Sequence, residues 1–241
     1  MSDWLKDFGH KFYLNFIKDD RWHYITRGLR TTVLITVFAL ILGVVLGFIV
    51  AIIRSAHDKT GKLKVANFIC RLYLTVIRGT PVVVQLLIIY YGIFASVTIE
   101  KMIVAVIAFG INSGAYVAEI VRSGIMSIDK GQLEAGRSLG FSYAQTMVYI
   151  IIPQAFKNVL PALGNELIVL LKETSVSGYI AMEDLTKGGD IIRSRTFDAM
   201  MPLLAVAAIY LAVVVRKRRG CLPGGYRRLY EVSYVGIFKE V

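Results

Sequence analysis

Three ionisable residues, Glu166, Lys172 and Glu173, interrupt an otherwise apolar stretch from Val159 to Ala181. A bilayer tolerates such groups only where they face protein or water, so the stretch predicts a helix that lines a pathway. Asn165 and Lys172 stand seven apart, as do Glu166 and Glu173, so each pair shares a helical face. A second polar stripe is formed by Asn112, Tyr116 and Glu119 at i, i+4 and i+7. Donors and acceptors arranged in this way can hold a polar solute by hydrogen bonds, or can hold the helices to one another. Both readings stand for Asn112, Tyr116, Asn165 and Glu166. For Glu119, three residues before Arg122, an i,i+3 ion pair is preferred over solute contact. For Lys172 and Glu173 a salt bridge across the bundle or a dimer seam is preferred.

The sequence carries no catalytic constellation. Gly61-Lys62 is followed by Leu63, so no phosphate-binding loop is present, and H-E-x-x-H, G-x-S-x-G and G-x-G-x-x-G are missing. His10, His23 and His57 all lie in polar flanks, where a solvated interface residue is the reading preferred over ligand or base. Cys70 and Cys221 have no metal or redox spacing around them. No metal site and no resident cofactor is expected, and any work done on a solute must draw its energy from another chain.

These residues sit in elements that the apolar runs define. Of the 241 residues 56% are hydrophobic, and they gather into uncharged runs at 31–53, 79–99, 102–118 and 199–215, of 23, 21, 17 and 17 residues. The first two are long enough to cross a hydrocarbon core of about 30 Å at about 1.5 Å per residue. With the interrupted run at 159–181, the expectation is five spans. The basic residues sort the loops: residues 54–78 and 216–241 each carry a net charge of +5. By the positive-inside rule the N-terminus lies outside and the C-terminus in the cytoplasm. Loop placement thus accounts for most of the overall +11, and nucleic acid is not needed as a partner. Residues 1–28, with Trp4, Leu5, Phe8, Phe12 and Phe16 at helical spacing between charges, predict an interfacial amphipathic segment. A signal peptide is not indicated, because its apolar region is missing. Gly43 and Gly47, like Gly110 and Gly114, form G-x-x-x-G, read first as close helix packing and second as dimerisation. The proline of Arg78-Gly79-Thr80-Pro81 ends or kinks a helix at the bilayer entry.

Between the third and fourth runs, residues 123–158 predict a short surface helix with Leu133, Ala135 and Leu139 available for packing, stopped by Gly140. A second helix follows and climbs to Pro153. A short amphipathic helix of this kind is what a partner's groove can grip.

These residues also carry a resemblance. Glu134-Ala135-Gly136, Gly140 four residues on, and Ile152-Pro153 resemble the EAA loop of permease subunits of ABC importers, with departures at Gly136, where a second Ala is usual, and at Ile152, where Leu is usual. On helix propensity alone, Gly136 should loosen its helix by about 1 kcal/mol relative to Ala. Arg78-Gly79-Thr80-Pro81 with Gln85, Gly114 to Glu119, Leu160-Pro161-Ala162-Leu163 leading to Asn165-Glu166, and Lys130-Gly131-Gln132 are similar to the polar amino-acid branch of that family. The resemblance covers about residues 25–215; the tail at 216–241 departs from it.

The resemblance implies an all-α polytopic membrane protein with a five-helix core like that of type I ABC importer permeases, over residues 29–215. It implies a permease subunit that passes a polar amino acid through the bacterial cytoplasmic membrane by alternating access. Its partners would be a cytoplasmic ATPase dimer that binds ATP and Mg, a second permease subunit, identical or homologous, and an extracytoplasmic amino-acid-binding protein. Lys130, Gly131, Gln132, Glu134, Ala135, Gly136 and Gly140 would couple to the ATPase. Arg78, Thr80, Pro81, Gln85, Asn112, Tyr116, Glu119, Asn165 and Glu166 would border the substrate pathway. The rival reading, a secondary transporter or channel working without ATP, predicts an internal repeat or a proton-relay set of carboxylates, and five unequal spans display neither.

Overall fold

The computed structural model describes residues 2–220, and among them there is no strand. The chain opens with α1 (Ser2–Phe12) and a wide turn at Tyr13–Ile17. It then breaks at Asp19 and Asp20, whose φ of 56° and 51° leave the right-handed helical region. The long helix α2 therefore starts at Trp22 and runs to Thr60, so the amphipathic segment ends earlier than the expected boundary at residue 28. Phe16 docks in a small core with Ile25, Leu185, Ile192 and Val206, while Phe8 and Phe12 remain exposed.

After a left-handed turn at Gly61 and Leu63 come α3 (Lys64–Gly79) and α4 (Val82–Ile88), the latter extended by a π turn to Ile93. Here the structure departs from the expected single span over 79–99. α3 and the Val82–Ile93 segment meet at an angle of 112°, and the segment after the bend is only about 18 Å long. The cause is local. Thr80 is forced into an extended conformation by the following proline (φ −122°, ψ 147°), and Pro81 opens the next helix.

α5 (Lys101–Met126) is the centre of the bundle, with α6 (Lys130–Ser138) and α7 (Tyr143–Thr146) after it. A π turn at Met147–Ile151 leads into α8 (Ile152–Glu173) and a 3₁₀ stretch to Ile180. Pro153 does not end this helix as expected. It falls in the first turn of α8, directly after the wide turn, so that Tyr143–Ile180 forms one apolar helical run of 38 residues. α9 (Leu185–Thr196) and α10 (Met200–Gly220) complete the described chain. α10 continues through Gly220, so the basic run that begins at Arg216 lies on its final turn; the expected tail from 221 onward, with Cys221, lies outside the described residues. Three helical runs are long and apolar enough to cross a membrane, the bent pair makes a fourth, and Met200–Val215 is a shorter apolar helix.

The two G-x-x-x-G pairs meet each other inside the chain. A Cβ on Gly43 would stand 2.8 Å from Cβ of Ser113, and one on Gly47 would stand 2.6 Å from Cγ1 of Val117. From the other side, Gly110 receives Leu42, and Gly114 receives Leu46 and the Tyr73 hydroxyl. The register 42–110, 43–113, 47–117 means that α2 and α5 run parallel, as two spans separated by one returning segment must. α8 runs antiparallel to α5, with Val159 against Gly124 near one end and Glu173 against Asn112 near the other. α9 is wedged between α2 and α10 by the same device: a Cβ on Gly188 would stand 2.5 Å from the Tyr24 carbonyl oxygen, and one on Gly189 would stand 2.6 Å from Cγ2 of Val206. Buried Asp184 caps α9, accepting from the Lys187 N–H at 2.6 Å and from Ser177 Oγ at 3.0 Å.

Gly47→Leu should force α2 off α5 and destabilise the fold by about 1–3 kcal/mol. Gly92→Ala, where a Cβ would meet only Ile88 Cγ2 at 3.9 Å, should change stability by less than about 0.5 kcal/mol. Thermal unfolding of the two variants in detergent, read by tryptophan fluorescence, checks the contrast. Equal midpoints would remove the glycine seam as the organising contact.

Candidate functional site

The polar residues of α5 and α8 meet in a buried seam. Ser113 Oγ donates to Glu166 Oε1 at 2.8 Å, and Asn112 Nδ2 donates to Glu173 Oε2 at 3.1 Å. Ser113, Asn112 and Glu166 are 0%, 2% and 6% exposed, and Glu173 at the end of the seam is half-buried. The two carboxylates one heptad apart thus share a face, as their spacing predicts. Asn165 and Lys172 instead lie on the exposed side of α8. Lys172 makes no ion pair with any described residue, so of the two expected pairings the one across the bundle is not formed among the described residues. Glu173 takes an amide donor instead, because Asn112 faces it. Ser113 was not singled out from the sequence; its signal was a small hydroxyl beside Asn112 on a glycine-lined face.

Glu119 corrects a second expectation. It does not pair with Arg122 along its own helix but with Arg54 of α2 at 2.8 Å and more loosely with Arg78 at 3.9 Å. Arg122 reaches Asp58 of α2 at 3.5 Å. The close parallel approach of α2 brings these partners nearer than the i,i+3 neighbour. The Arg78 guanidinium stands 5.8 Å from the ring centroid of Tyr116, which is 36% exposed.

Gln85 turns out to be a clamp on the helix break. Its Nε2 lies 2.7 Å from the Ile77 carbonyl, 3.0 Å from the Thr80 carbonyl and 2.8 Å from Thr80 Oγ1. Thr80 Oγ1 itself donates to the Val76 carbonyl at 2.8 Å. The Val76, Ile77 and Thr80 carbonyls at the break thereby find donors within the chain, as a break in an apolar environment favours. Thr80, Pro81 and Gln85 form one structural unit, joined by hydrogen bonds within residues 76–85.

The surface segment after α5 is built from three caps. Asp129 accepts from the Gly131 N–H at 2.6 Å and starts α6. At its end, the Phe141 N–H reaches the Gly136 carbonyl and the Gly140 N–H reaches the Arg137 carbonyl, at 3.2 and 3.0 Å. This is a Schellman termination with Gly140 at φ +86°, the positive φ expected of it. Ser142 and Gln145 then form a reciprocal capping box that opens α7, a signal the S-x-x-Q spacing carried. Asn158 Nδ2 donates to Ser127 Oγ at 2.9 Å and ties the two feet of the segment together. Lys130, Gln132, Glu134 and Ala135 are all exposed, and Leu139 is 77% exposed.

Gly136 is the exception, buried against the returning helix. A Cβ there would stand 2.5 Å from Thr146 Cγ2 and 3.1 Å from Ile150 Cδ1. The glycine therefore does not simply loosen α6; it lets α6 lie directly on the Met147–Ile151 turn.

The comparisons with known proteins fit this geometry. Residues 39–216 match the family described as the binding-protein-dependent transport system inner membrane component. The arginine transport system permease protein ArtQ of Bacillus subtilis (strain 168) is 37% identical over 194 residues, covering 80% of this chain and 86% of that protein. A crystal structure of an amino acid ABC transporter with histidines superposes with a TM-score of 0.77 at 42% identity, covering 82% of this chain and 91% of that one. The MetNI methionine ABC transporter, in an inward-facing conformation, superposes at 0.70 with 18% identity, covering 85% and 95%, a likeness of fold alone. The chain belongs to the family of binding-protein-dependent transport system inner membrane components. Its fold is that of the type I ABC importer permeases, all-α and multi-pass.

Gly136→Ala, which restores the residue more usual in the family pattern, should lower stability by about 1–3 kcal/mol through overpacking. Adding Thr146→Ser, which removes the clashing methyl and keeps the hydroxyl, should recover most of that loss. Thermal unfolding of the single and double variants measures the coupling; a single variant as stable as the wild type would show that α6 is free to move away.

Proposed function

We propose that this chain is the membrane-spanning subunit of an ATP-driven importer for a polar amino acid, lying in the bacterial cytoplasmic membrane with its N-terminus outside and its C-terminus in the cytoplasm. The observation that carries the reading is α6. It is a short helix capped at both ends, pinned to the bundle through Gly136, and otherwise turned outward with Glu134 and Leu139 uncovered. An exposed, rigidly mounted helix of that kind suits a groove on a partner. The partner is a cytoplasmic ATPase dimer, which holds ATP and Mg. A second permease subunit, identical or homologous, and an extracytoplasmic amino-acid-binding protein complete the assembly. Amino acids are the solute class because the relatives' names, arginine for ArtQ and an amino acid for the 42% identical transporter, support the same class here.

In this mechanism, closure of the ATPase dimer draws the two α6 helices together. The force passes through the Schellman turn and the capping box into α7 and α8, and tilts the bundle between inward- and outward-facing states. The Asn112–Ser113–Glu166–Glu173 seam lies where α8 moves against α5. When it opens, its carboxylates can accept from an ammonium group and Asn112 can donate to a carboxylate. Tyr116 and Asn165, exposed on the single chain, border the pathway shared with the second subunit. The Arg78–Pro81 break and Gln85 act as the pivot beside it.

Gly140→Val leaves no side-chain clash, since nothing lies within 4 Å of a Cβ there. It does place a β-branched residue at positive φ, at a cost of about 1–3 kcal/mol. In reconstituted vesicles with all partners present, the variant should insert and still dock the binding protein. Uptake of labelled amino acid and solute-stimulated ATP hydrolysis should both be lost. Glu134→Ala should act in the same direction more weakly, as exposed ion pairs contribute about 0–1 kcal/mol. Wild-type uptake and stimulation in Gly140→Val would remove α6 as the lever. Independently, a cysteine at Ser138 should react only with reagent on the cytoplasmic side and one at Ser96 only from outside; the reverse pattern overturns the orientation.

A further inference from the structure

Between α2, α3 and α5 lies a cavity of about 450 Å³ lined by Arg54, Arg71, Thr75, Arg78 and Glu119 among others. Its single carboxylate is engaged by Arg54 at 2.8 Å, with Arg78 at 3.9 Å. Arg71 makes no ion pair with any described residue. Three guanidinium groups thus face one carboxylate, and the excess positive charge is left to solvent or to a ligand. Arg54 closes the uncharged run 31–53 of α2, and Glu119 closes the run 102–118 of α5. The cavity is therefore level with the edge of the hydrocarbon.

Its wall on α3 has a second property. Arg71, Thr75 and Arg78 stand at i, i+4 and i+7 and form one stripe. The adjoining stripe, one residue further round the helix, is Val65, Phe68, Ile69, Leu72 and Val76. All five are between 48% and 74% exposed, and no described element covers them. A small anion would satisfy the arginines and leave this face bare. A molecule with an anionic head and apolar chains satisfies both.

We propose that the cavity binds the phosphate of an anionic phospholipid, with the acyl chains lying along the exposed apolar face of α3. The planar guanidinium forks of Arg71 and Arg78 match phosphate oxygens in pairs. Basic pockets between membrane helices at the headgroup level are suited to such lipids. The lipid would bridge α3 to the Arg54–Glu119 pair, and so brace the helix that ends at the Gly79–Pro81 break. This inference does not depend on which solute the chain carries.

The test uses the full chain, purified and placed in phosphatidylcholine nanodiscs, with fluorescent phosphatidylglycerol or phosphatidylcholine added as probe at fixed ionic strength. The wild type should bind phosphatidylglycerol about tenfold more tightly than phosphatidylcholine. Arg71→Gln should weaken phosphatidylglycerol about fivefold and leave the thermal midpoint unchanged. Thr75→Phe, which fills the cavity without altering its charge, should produce a similar loss. Lys157→Gln, an exposed charge elsewhere, should have no effect. Equal affinity for the two lipids overturns the proposal. So does a loss with Arg71→Gln that Thr75→Phe does not reproduce, since that marks general surface attraction and not a cavity. Displacement of phosphatidylglycerol by millimolar inorganic phosphate would assign the cavity to a free anion and likewise overturn the lipid as its occupant.

Discussion

The close parallel contact between α2 and α5 is the constraint from which the other features of the bundle follow. In a bilayer, apolar side chains gain little by leaving lipid for protein, so helix association rests on backbone approach and packing. Gly43, Gly47, Gly110 and Gly114 provide that approach, each occupied by a side chain of the opposite helix or of α3. Ser113 lies at the junction, packed on Gly43 of α2 while its hydroxyl donates to Glu166 of α8, and Asn112 beside it donates to Glu173. The same contact carries Arg54 to Glu119 and Asp58 to Arg122. One seam of small residues therefore fixes both the buried polar seam and the charged rim.

A second constraint acts on the backbone itself. A proline within an apolar stretch leaves carbonyls without donors, and hydrocarbon offers none. At Gly79–Pro81 the solution is Gln85, whose amide turns back to the break while Thr80 bonds one turn down. At Pro153 the solution is different: a wide turn at Met147–Ile151 precedes the proline, which sits in the first turn of α8. The first device makes a sharp corner with a polar filling. The second lets a surface helix pass into a spanning helix without interruption, as the coupling proposed for α6 requires.

The surface segment combines exposure with rigidity. Residues Lys130–Leu139 show most of their side chains to the outside, yet every exit from the helix is fixed by a backbone or side-chain cap, and Asn158 to Ser127 closes the base. Gly136 is the contact point with the bundle. Thr146 lies opposite it, so close that a Cβ on Gly136 would stand 2.5 Å from its methyl.

Several features were fixed by sequence alone. Uncharged runs of sufficient length, basic residues gathered in particular loops, the missing phosphate loop and the Gly140 turn all depend on neighbours within a few residues, and they sufficed for a polytopic helical class; the family was legible only through the resemblance carried by Glu134-Ala135-Gly136 with Gly140 and the motifs around Pro81, Glu119 and Glu166. The capping box at Ser142 and Gln145 had a local signal in its spacing but emerged only from the structure. What depended on partners far along the chain was not. Glu119 chose Arg54 over Arg122, Lys172 was left without an ion pair while Glu173 took Asn112, Gln85 became a clamp, and Gly136 became a contact, each because of a residue between 5 and 65 positions away. The single span expected over 79–99 became a corner for a local reason, the extended Thr80 before Pro81, which hydropathy does not record because a run of apolar residues reports tolerance of lipid and not direction. Hydropathy and spacing describe one helix at a time, whereas the pairing of charges and the placement of small residues are settled only when two helices come close enough to compete for the same partner.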